Sequence, residues 1–200
     1  MDYTVSTIDK IDEKFDFSQI SNYIKSIQIS LNGFSYIVTD SLGSVHLALR
    51  SYDFGTQVSM RKLEYIVKDL FQNEDILSIP SSKTIVTYID RPWAMSPQIL
   101  FDSNKTDTLI DVNFKKDEFA KLINAVIPTT DIIFTLRIPD KILATIEQYN
   151  QNVTMLPHQC ALARNAFYNL THHNLSDAFF LNLTHNFFDL LIIKNHKIQT

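Results

Sequence analysis

The clearest pattern of apolar and polar residues lies on either side of Asn32-Gly33. Apolar residues occupy alternate positions there: Ile27, Ile29 and Leu31 before the dipeptide, and Phe34, Tyr36 and Val38 after it. This alternation predicts two β-strands, and Asn-Gly, whose residues tolerate positive φ, predicts the tight turn of a hairpin between them. The segment 181–193 repeats the order of strand, short polar turn and apolar strand. A hairpin pattern that occurs near both ends of the chain indicates two related halves.

The first hairpin opens a longer series of predicted elements. Strands are predicted over 24–31, 34–40 and 45–52, which together make an antiparallel meander. The apolar spacing then changes to three and four residues, which predicts a helix over 58–72. Residues 1–22 mix charges with isolated apolar residues, so we expect a leader that lies on the surface rather than a folded element.

Strands and helices alternate in the rest of the chain. Further strands are predicted over 84–89, 131–139 and 153–156, and helices over 119–126, after Pro139 and after Pro157. Residues 90–116 fit no regular pattern, and we treat them as an irregular insertion. Because strands that alternate with helices favour parallel neighbours, the sequence predicts an α/β fold with a mixed sheet flanked by helices.

Composition narrows the class of protein. The 18 basic and 22 acidic residues are interspersed and give a formal charge of -4, which makes nucleic acid a poor partner. No run of about 20 apolar residues is available to span a membrane, and the acidic opening residues do not form a secretory signal. The single cysteine, Cys160, excludes an internal disulfide and fits a reducing compartment. We therefore expect a cytoplasmic protein.

The order of these elements resembles the actin-like ATPase fold, which consists of two ribonuclease-H-like halves. The segments FTLRIP, CALARNAFYNL and FFLNLTHNFFDLLIIKNHKI are similar to the strand, helix and second hairpin of its bacterial pilus-assembly and cell-division branch. The segments IQISLNGFSYIVTD, MSPQILFD and LNLTHNFFDLLIIKNHKI resemble a narrower, uncharacterised bacterial family with this fold. The resemblance implies a first ribonuclease-H-like half over 23–177 and the opening hairpin of a second, incomplete half over 178–200.

In active members, the resemblance implies, the two hairpin turns are phosphate loops with an acidic residue beside the metal. Here the first turn keeps Gly33 and Ser35 but has uncharged polar residues where the acid is expected. The second turn has no glycine, and Asp189 lies beyond it in the second strand. Both loops therefore look degraded. If ATP binds with magnesium, the resemblance places Gly33, Ser35 and Thr184 near the phosphate.

Other candidate sites have plainer alternatives. His172 and His173, with His158 and Cys160, could supply soft-metal ligands, but their spacing matches no ligand pattern, and loop histidines usually face solvent. Cys160 could be a reactive thiol at a helix N-terminus, although a lone cysteine among alanine and leucine is more often a packing residue. No nucleophile elbow or glycine-rich phosphate loop occurs, so we predict neither a catalytic residue nor a metal ligand.

Apolar residues predict two interaction surfaces. The region from Trp93 to Phe101 could bind a partner protein or cap an open edge of the sheet. The aromatic residues of the terminal hairpin need burial on the first half or on another chain, and strand exchange in a homo-oligomer is a further alternative. We expect a non-catalytic actin-like domain that acts as a protein-interaction or scaffold module. The alternative is a nucleotide-binding ATPase of this superfamily whose second half is missing from the chain.

Overall fold

The structure is a computed structural model that describes residues 6–90, 93–127, 130–183 and 188–199. Its strands are β1 (Ser6–Ile11), β2 (Ile24–Ser30), β3 (Gly33–Thr39), β4 (His46–Asp53), β5 (Lys83–Ile89), β6 (Trp93–Pro97), β7 (Ala120–Val126), β8 (Ile132–Pro139), β9 (Val153–Pro157), β10 (Ala178–Leu183), β11 (Phe188–Lys194) and β12 (Lys197–Ile198). Its α-helices are α1 (Met60–Asn73), α2 (Asp75–Ser78), α3 (Thr106–Asp111), α4 (Asp140–Tyr149) and α5 (His158–His172). Short 3-10 helices cover Phe17–Asn22, Gln98–Leu100 and Ser103–Lys105. None of the helices in the described ranges is long and apolar enough to cross a bilayer.

These elements form two compact units. The first unit contains Met1–Arg91, Asp117–Lys121 and Arg137–Met155. The second contains Pro92–Lys116, Leu122–Leu136 and Leu156–Thr200. The sequence predicts a boundary between two related halves at 177/178. The two units are groups of residues in contact and do not test that boundary, which stays a prediction.

A six-stranded mixed sheet forms the centre of the first unit. Its strand order is β1-β4-β3-β2-β5-β9. Neighbours among β1 to β4 pair antiparallel, whereas β2 and β5 run parallel, with Ile27 opposite Val86. The predicted meander and the predicted parallel neighbour are therefore both confirmed.

Alternating side chains decide which face of this sheet is buried. In β3, Phe34, Tyr36 and Val38 are buried and the residues between them are half-buried. The helix predicted over 58–72 is confirmed as α1, whose buried residues recur at helical spacing: Leu63, Ile66, Val67, Leu70 and Phe71. The ring of Phe71 meets that of Phe34 edge to face at 6.4 Å, so this apolar stripe covers the sheet.

The strand β1 contradicts the expected leader. Ser6–Ile11 pairs antiparallel with β4, and Asp9 lies opposite Arg50. One guanidinium nitrogen of Arg50, Nη2, donates to both carboxylate oxygens of Asp9, at 2.9 and 2.8 Å, in a charge-assisted ion pair. Ile20, in the following 3-10 helix, is fully buried. The described part of 1–22 is therefore folded. The alternation of apolar and polar residues is weak there, because β1 is an edge strand and leaves apolar residues such as Ile11 exposed.

The second unit holds most of two three-stranded sheets, with the orders β6-β8-β7 and β10-β11-β12. Nearly every residue of β8 is buried, as predicted for a strand covered on both faces. In the other sheet, Ile193 of β11 packs against Ala166 and Leu170 of α5. The helix predicted after Pro157 therefore covers one face of the terminal hairpin.

Two further predictions are wrong in the middle of the chain. The segment 119–126, predicted as a helix, forms strand β7. Its apolar spacing fits a helical face, but a neighbouring strand supplies backbone hydrogen bonds, and Phe119 and Val126 stay exposed. The insertion at 90–116, treated as irregular, contains β6, two 3-10 helices and α3.

Candidate functional site

The carboxyl ends of the parallel strands β2 and β5 lie side by side in the first unit. Ser30 ends β2 opposite Ile89, which ends β5, and Asp90 follows directly. In open α/β sheets, ligands bind beyond the carboxyl ends of the strands. The β2–β3 turn, for which the sequence predicts approach to phosphate, begins at this same place. We call this region, from Ser30 to Gly33 with Tyr88 and Asp90, the β2–β5 edge.

Ser30 bonds the hairpin turn with its own side chain. The backbone N–H groups of Asn32 and Gly33 donate to Ser30 Oγ at 3.2 and 3.0 Å, and the hydroxyl donates to Gly33 O at 3.1 Å. Asn32 O also accepts the N–H of Phe54 at 2.9 Å. A phosphate loop needs backbone N–H groups that point at the ligand. In this turn, two such groups already have an acceptor within the chain.

Gly33 is required by backbone packing. A Cβ atom at Gly33 would lie 2.7 Å from Tyr52 O, on the neighbouring strand. The glycines with positive φ are Gly43, at 71°, and Gly55, at 70°, and neither Asn32 nor Gly33 has this conformation. The predicted hairpin is present, but neither residue of the dipeptide uses the positive φ that it tolerates. The strand β4 passes too close to Gly33 for a side chain.

Ser35, also predicted near phosphate, lies within β3 beyond this turn. It is half-buried, between Gln28 and Ser51 of the two neighbouring strands. Thr184 lies outside the described residues. Of the three predicted residues, the described structure places Gly33 in the turn.

Tyr88 and Asp90 were not among the predicted site residues. Tyr88 is fully buried, and its hydroxyl donates to Asp90 Oδ2 at 3.2 Å and lies 3.6 Å from Met60 Sδ. Burial, followed by the nearby Asp90 carboxylate, raises the pKa of Tyr88, so the phenol remains a donor. The sequence did carry a signal for this site: Asp90 directly follows 84–89, a predicted strand rich in β-branched residues. The Asp90 oxygen that accepts this bond has one lone pair fewer to offer a cation.

The acid of the second hairpin is bonded within the second unit. Asp189 lies opposite Asn182 and accepts from His158 Nε2 at 2.7 Å, Asn182 Nδ2 at 3.1 Å and Gln159 Nε2 at 3.4 Å. The side chains are 14% exposed for Asp189 and 5% for His158. These bonds hold the first turn of α5 against β11. Asp189 therefore has a packing role in the described residues.

The alternative metal and thiol sites are not assembled. His158 begins α5, whereas His172 ends it and His173 follows, and a helix of 15 residues separates its ends by about 20 Å. Within the described ranges, no group of three His, Cys, Asp or Glu side chains is placed to hold a metal ion. Cys160 is fully buried, and burial raises the pKa of its thiol. It is a packing residue rather than an activated nucleophile.

The region from Trp93 to Phe101 caps a sheet edge at one end and is exposed at the other. Its strand β6 is an edge of the β6-β8-β7 sheet, and Trp93 stacks on Phe134 with ring centroids 6.3 Å apart. Beyond β6, Ile99 and Leu100 are 92% and 75% exposed. Leu100 also lines an open groove of about 350 Å³ with Val112. Partner binding by this region stays a prediction.

A buried lysine lies elsewhere in the first unit. Lys25 of β2 is fully buried, and its Nζ donates to the backbone carbonyl oxygens of Ile79 and of Leu77, the latter at 3.5 Å. Burial lowers the pKa of Lys25 from 10.5 to about 8. The ammonium is held by backbone dipoles at the end of α2.

Glu74, between α1 and α2, is the centre of a polar network. Its carboxylate accepts from the Tyr36 hydroxyl at 3.4 Å, from the Tyr52 hydroxyl and from the Arg50 guanidinium. Burial raises the pKa of both tyrosines, and the Glu74 carboxylate adds to this shift. Through Arg50 and Asp9 the network also holds the edge strand β1. The sheet and the end of α1 are thereby joined by charge as well as by apolar packing.

A solved structure confirms the predicted fold. A protein from Bacteroides thetaiotaomicron VPI-5482, with an actin-like ATPase fold and unknown function, aligns over 93% of this chain and 71% of its own, with 17% identity and a TM-score of 0.82. A ROK family transcriptional regulator, a homologue of the E. coli MLC protein, covers 90% of this chain and 39% of its own at 9% identity and a TM-score of 0.43. AlfA from B. subtilis plasmid pLS32, solved as a filament, covers 89% and 69% at 10% identity and a TM-score of 0.34. The first similarity shows that this chain has the actin-like ATPase fold, and the two weaker ones add nothing to that conclusion.

Sequence comparison gives the family. No curated protein is similar enough in sequence to count as a match. The family model described as "Protein of unknown function (DUF3822)" matches residues 12–199. This match spans nearly the whole chain and confirms the resemblance to an uncharacterised family. The chain belongs to the DUF3822 family of proteins of unknown function.

Proposed function

We propose that this chain is a non-catalytic actin-like domain that acts as a protein-interaction or scaffold module. The observation that carries the proposal is the pair of hydrogen bonds from the Asn32 and Gly33 amides to Ser30 Oγ. A phosphate oxygen that approached this turn would have to displace both bonds, each worth about 1 kcal/mol. The turn residues Leu31, Asn32 and Gly33 provide no carboxylate to hold a metal in exchange.

The roles of Gly33 and Asp189 support the same proposal. In an active phosphate loop, the glycine and the acid serve the ligand and its metal. Here the close approach of Tyr52 O accounts for Gly33, and three side-chain donors occupy Asp189. Both residues therefore have a structural reason to be present in a protein that binds no nucleotide.

The second unit provides the surfaces that an interaction module needs. The terminal hairpin exposes large apolar residues, and the region from Trp93 to Phe101 exposes Ile99 and Leu100. Apolar side chains that cluster on the surface are typical of protein-binding sites. We expect the module to work in the cytoplasm, where the buried thiol of Cys160 remains reduced.

Calorimetric titration of the full chain with ATP or GTP in the presence of magnesium tests the proposal. We expect no binding up to about millimolar nucleotide. The same result is expected for Ser30→Ala, which opens the two amides without adding a carboxylate. A nucleotide-binding actin-like protein titrated in parallel shows that the assay detects binding.

Micromolar binding by the unaltered chain would overturn the proposal and favour the alternative, a nucleotide-binding ATPase. In that case, Asp90→Asn should weaken the affinity because Asp90 is the carboxylate at the β2–β5 edge. Circular dichroism of each variant provides the check on folding.

A further inference from the structure

The β10-β11-β12 sheet of the second unit has apolar side chains on both faces. On the inner face, Phe180 and Leu191 join the buried cluster that packs on α5. The outer face is formed by the residues that alternate with these along β10 and β11. It carries Ile192, which is half-buried opposite Phe179, and five exposed residues that we call the hairpin face: Phe179, Leu181, Leu183, Phe188 and Leu190. The cross-strand pairs Leu181–Leu190 and Leu183–Phe188 make the hairpin face continuous.

All five residues of the hairpin face are exposed. The exposed fraction runs from 53% at Leu190 to 76% at Phe179. Leucine and phenylalanine side chains at these exposures present about 600 Å² in total. That area is at the upper end of what a monomeric soluble protein leaves in one apolar patch. A sheet that is apolar on both faces is typical of a strand layer covered on both sides.

We infer that the hairpin face is covered by the same face of a second copy of this chain. This inference rests on the proposed interaction function and names its partner. Two copies related by a two-fold axis would bury about 1,200 Å², the lower end of the range for specific interfaces. The five residues carry no charge, so the partner must offer an apolar surface of similar size. A second copy does so with the same strand spacing, and two such sheets pack about 10 Å apart.

Two lysines set the orientation of the pair. Lys194 ends β11 on the same side of the sheet as Leu190, and Lys197 of β12 is paired with it; both are exposed. Copies aligned in the same direction would bring their lysine ends together, whereas antiparallel copies place these ends apart. In the antiparallel arrangement, Leu181, at the middle of β10, lies near its own symmetry mate. Pairing through the open edge of β10 would leave the hairpin face in water, so packing face to face is favoured.

Sedimentation velocity of the full chain over a range of about 1 to 200 µM tests the inference. We expect the mass to rise from 23.1 kDa to twice that value as concentration increases. Leu181→Arg places a charge at the centre of the hairpin face and should weaken association by at least about 100-fold. Leu42→Arg is the matched control, because Leu42 is 85% exposed in the β3–β4 turn of the first unit. This control should associate as the unaltered chain does.

A mixture of two variants separates lost association from lost folding. Leu181→Arg and Leu181→Glu should each be monomeric, and an equimolar mixture should recover the doubled mass because opposite charges meet at the two-fold axis. The inference is overturned if the unaltered chain stays monomeric over the whole range or if Leu181→Arg associates as well as Leu42→Arg. It is also overturned if the mixture stays monomeric although both variants are folded.

The readout for this inference differs from that for the proposed function. A chain that stays monomeric and binds no nucleotide refutes the second-copy interface and leaves the interaction function standing. A monomer whose hairpin face binds a different protein likewise refutes the second-copy interface alone. A dimer that binds ATP at micromolar concentration refutes the proposed function and leaves the interface standing.

Discussion

Lys25 should lower the stability of this fold at neutral pH, and Lys25→Met should recover part of the loss. Burial lowers the pKa of Lys25 from 10.5 to about 8. Because each pKa unit corresponds to about 1.4 kcal/mol, keeping the ammonium charged in the folded state costs about 3 kcal/mol at pH 7. Methionine removes this cost but leaves the Leu77 and Ile79 carbonyls without their donor, and each lost bond costs about 1 kcal/mol. We expect a net stabilisation of about 1–2 kcal/mol.

The pH dependence has a defined sign. The unfolded chain binds the Lys25 proton more tightly than the folded chain does, so between pH 8 and 10.5 the unfolded state holds more protons. The free energy of unfolding should therefore rise with pH in this window. The raised pKa values of Tyr36, Tyr52 and Tyr88 act in the opposite direction, but only above their ordinary value of 10.0. The rise is cleanest just above pH 8, before the tyrosines of the unfolded chain ionise.

Urea unfolding at several pH values from about 7 to 9.5 measures both effects. The unaltered chain should gain stability toward the alkaline end, and Lys25→Met should show a flatter profile from a higher starting value. Lys83→Met is the matched control, because Lys83 is exposed at the start of β5 and should alter neither quantity. A flat profile for the unaltered chain, or a Lys25→Met variant less stable than it at pH 7, would refute the reasoning.

Four more substitutions probe the contacts around the two hairpins and the polar network. Gly33→Ala should cost about 1–3 kcal/mol because its Cβ meets Tyr52 O at 2.7 Å, and a calorimetric Tm equal to that of the unaltered chain would contradict this. Glu74→Ala removes the acceptor shared by two tyrosines and Arg50 and should cost about 3 kcal/mol. Asp9→Asn, at the more exposed end of the network, should cost less than about 1 kcal/mol, and equal losses for the two would argue against this ranking. Asp189→Asn should speed hydrogen exchange in the first turns of α5, with a loss of about 1–3 kcal/mol, whereas unchanged exchange would show that these bonds do not hold the helix.

Elements with a strong local period were predicted from the sequence. The alternation around Asn32-Gly33 gives β2 and β3 with Ile29 opposite Phe34, and the helical spacing gives α1 within two residues at its start and one at its end. The strands β1 and β7 were missed because their apolar residues are few or fit another period. Both strands exist because a neighbouring strand offers backbone partners, which no local pattern records.

The site depended still more on contacts between distant residues. Because the two hairpin turns lack the expected acid or glycine, the sequence predicted degraded phosphate loops. It did not predict that Ser30 Oγ accepts hydrogen bonds from the amides of the first turn. It placed Asp189 in a strand without its partner His158, which is 31 residues away along the chain. Lys25 is in line with Ile27 and Ile29 on the buried side of β2, so it interrupts the apolar alternation, but a backbone carbonyl that accepts its hydrogen bond lies in α2, 52 residues away along the chain. Each of these roles comes from a tertiary neighbour rather than from the residue's own segment.

The close approach of Tyr52 O to Gly33 has a consequence for comparing relatives of this chain. A glycine at this position is kept by the neighbouring strand whether or not a ligand is present, so its presence does not distinguish nucleotide binders from the rest. Position 30 is more informative: a serine there closes the two amides, whereas a carboxylate there would offer a metal ligand. We therefore expect residue 30, at the end of the first strand of the hairpin, to be a better guide to nucleotide binding among relatives than the glycine that a motif search finds first.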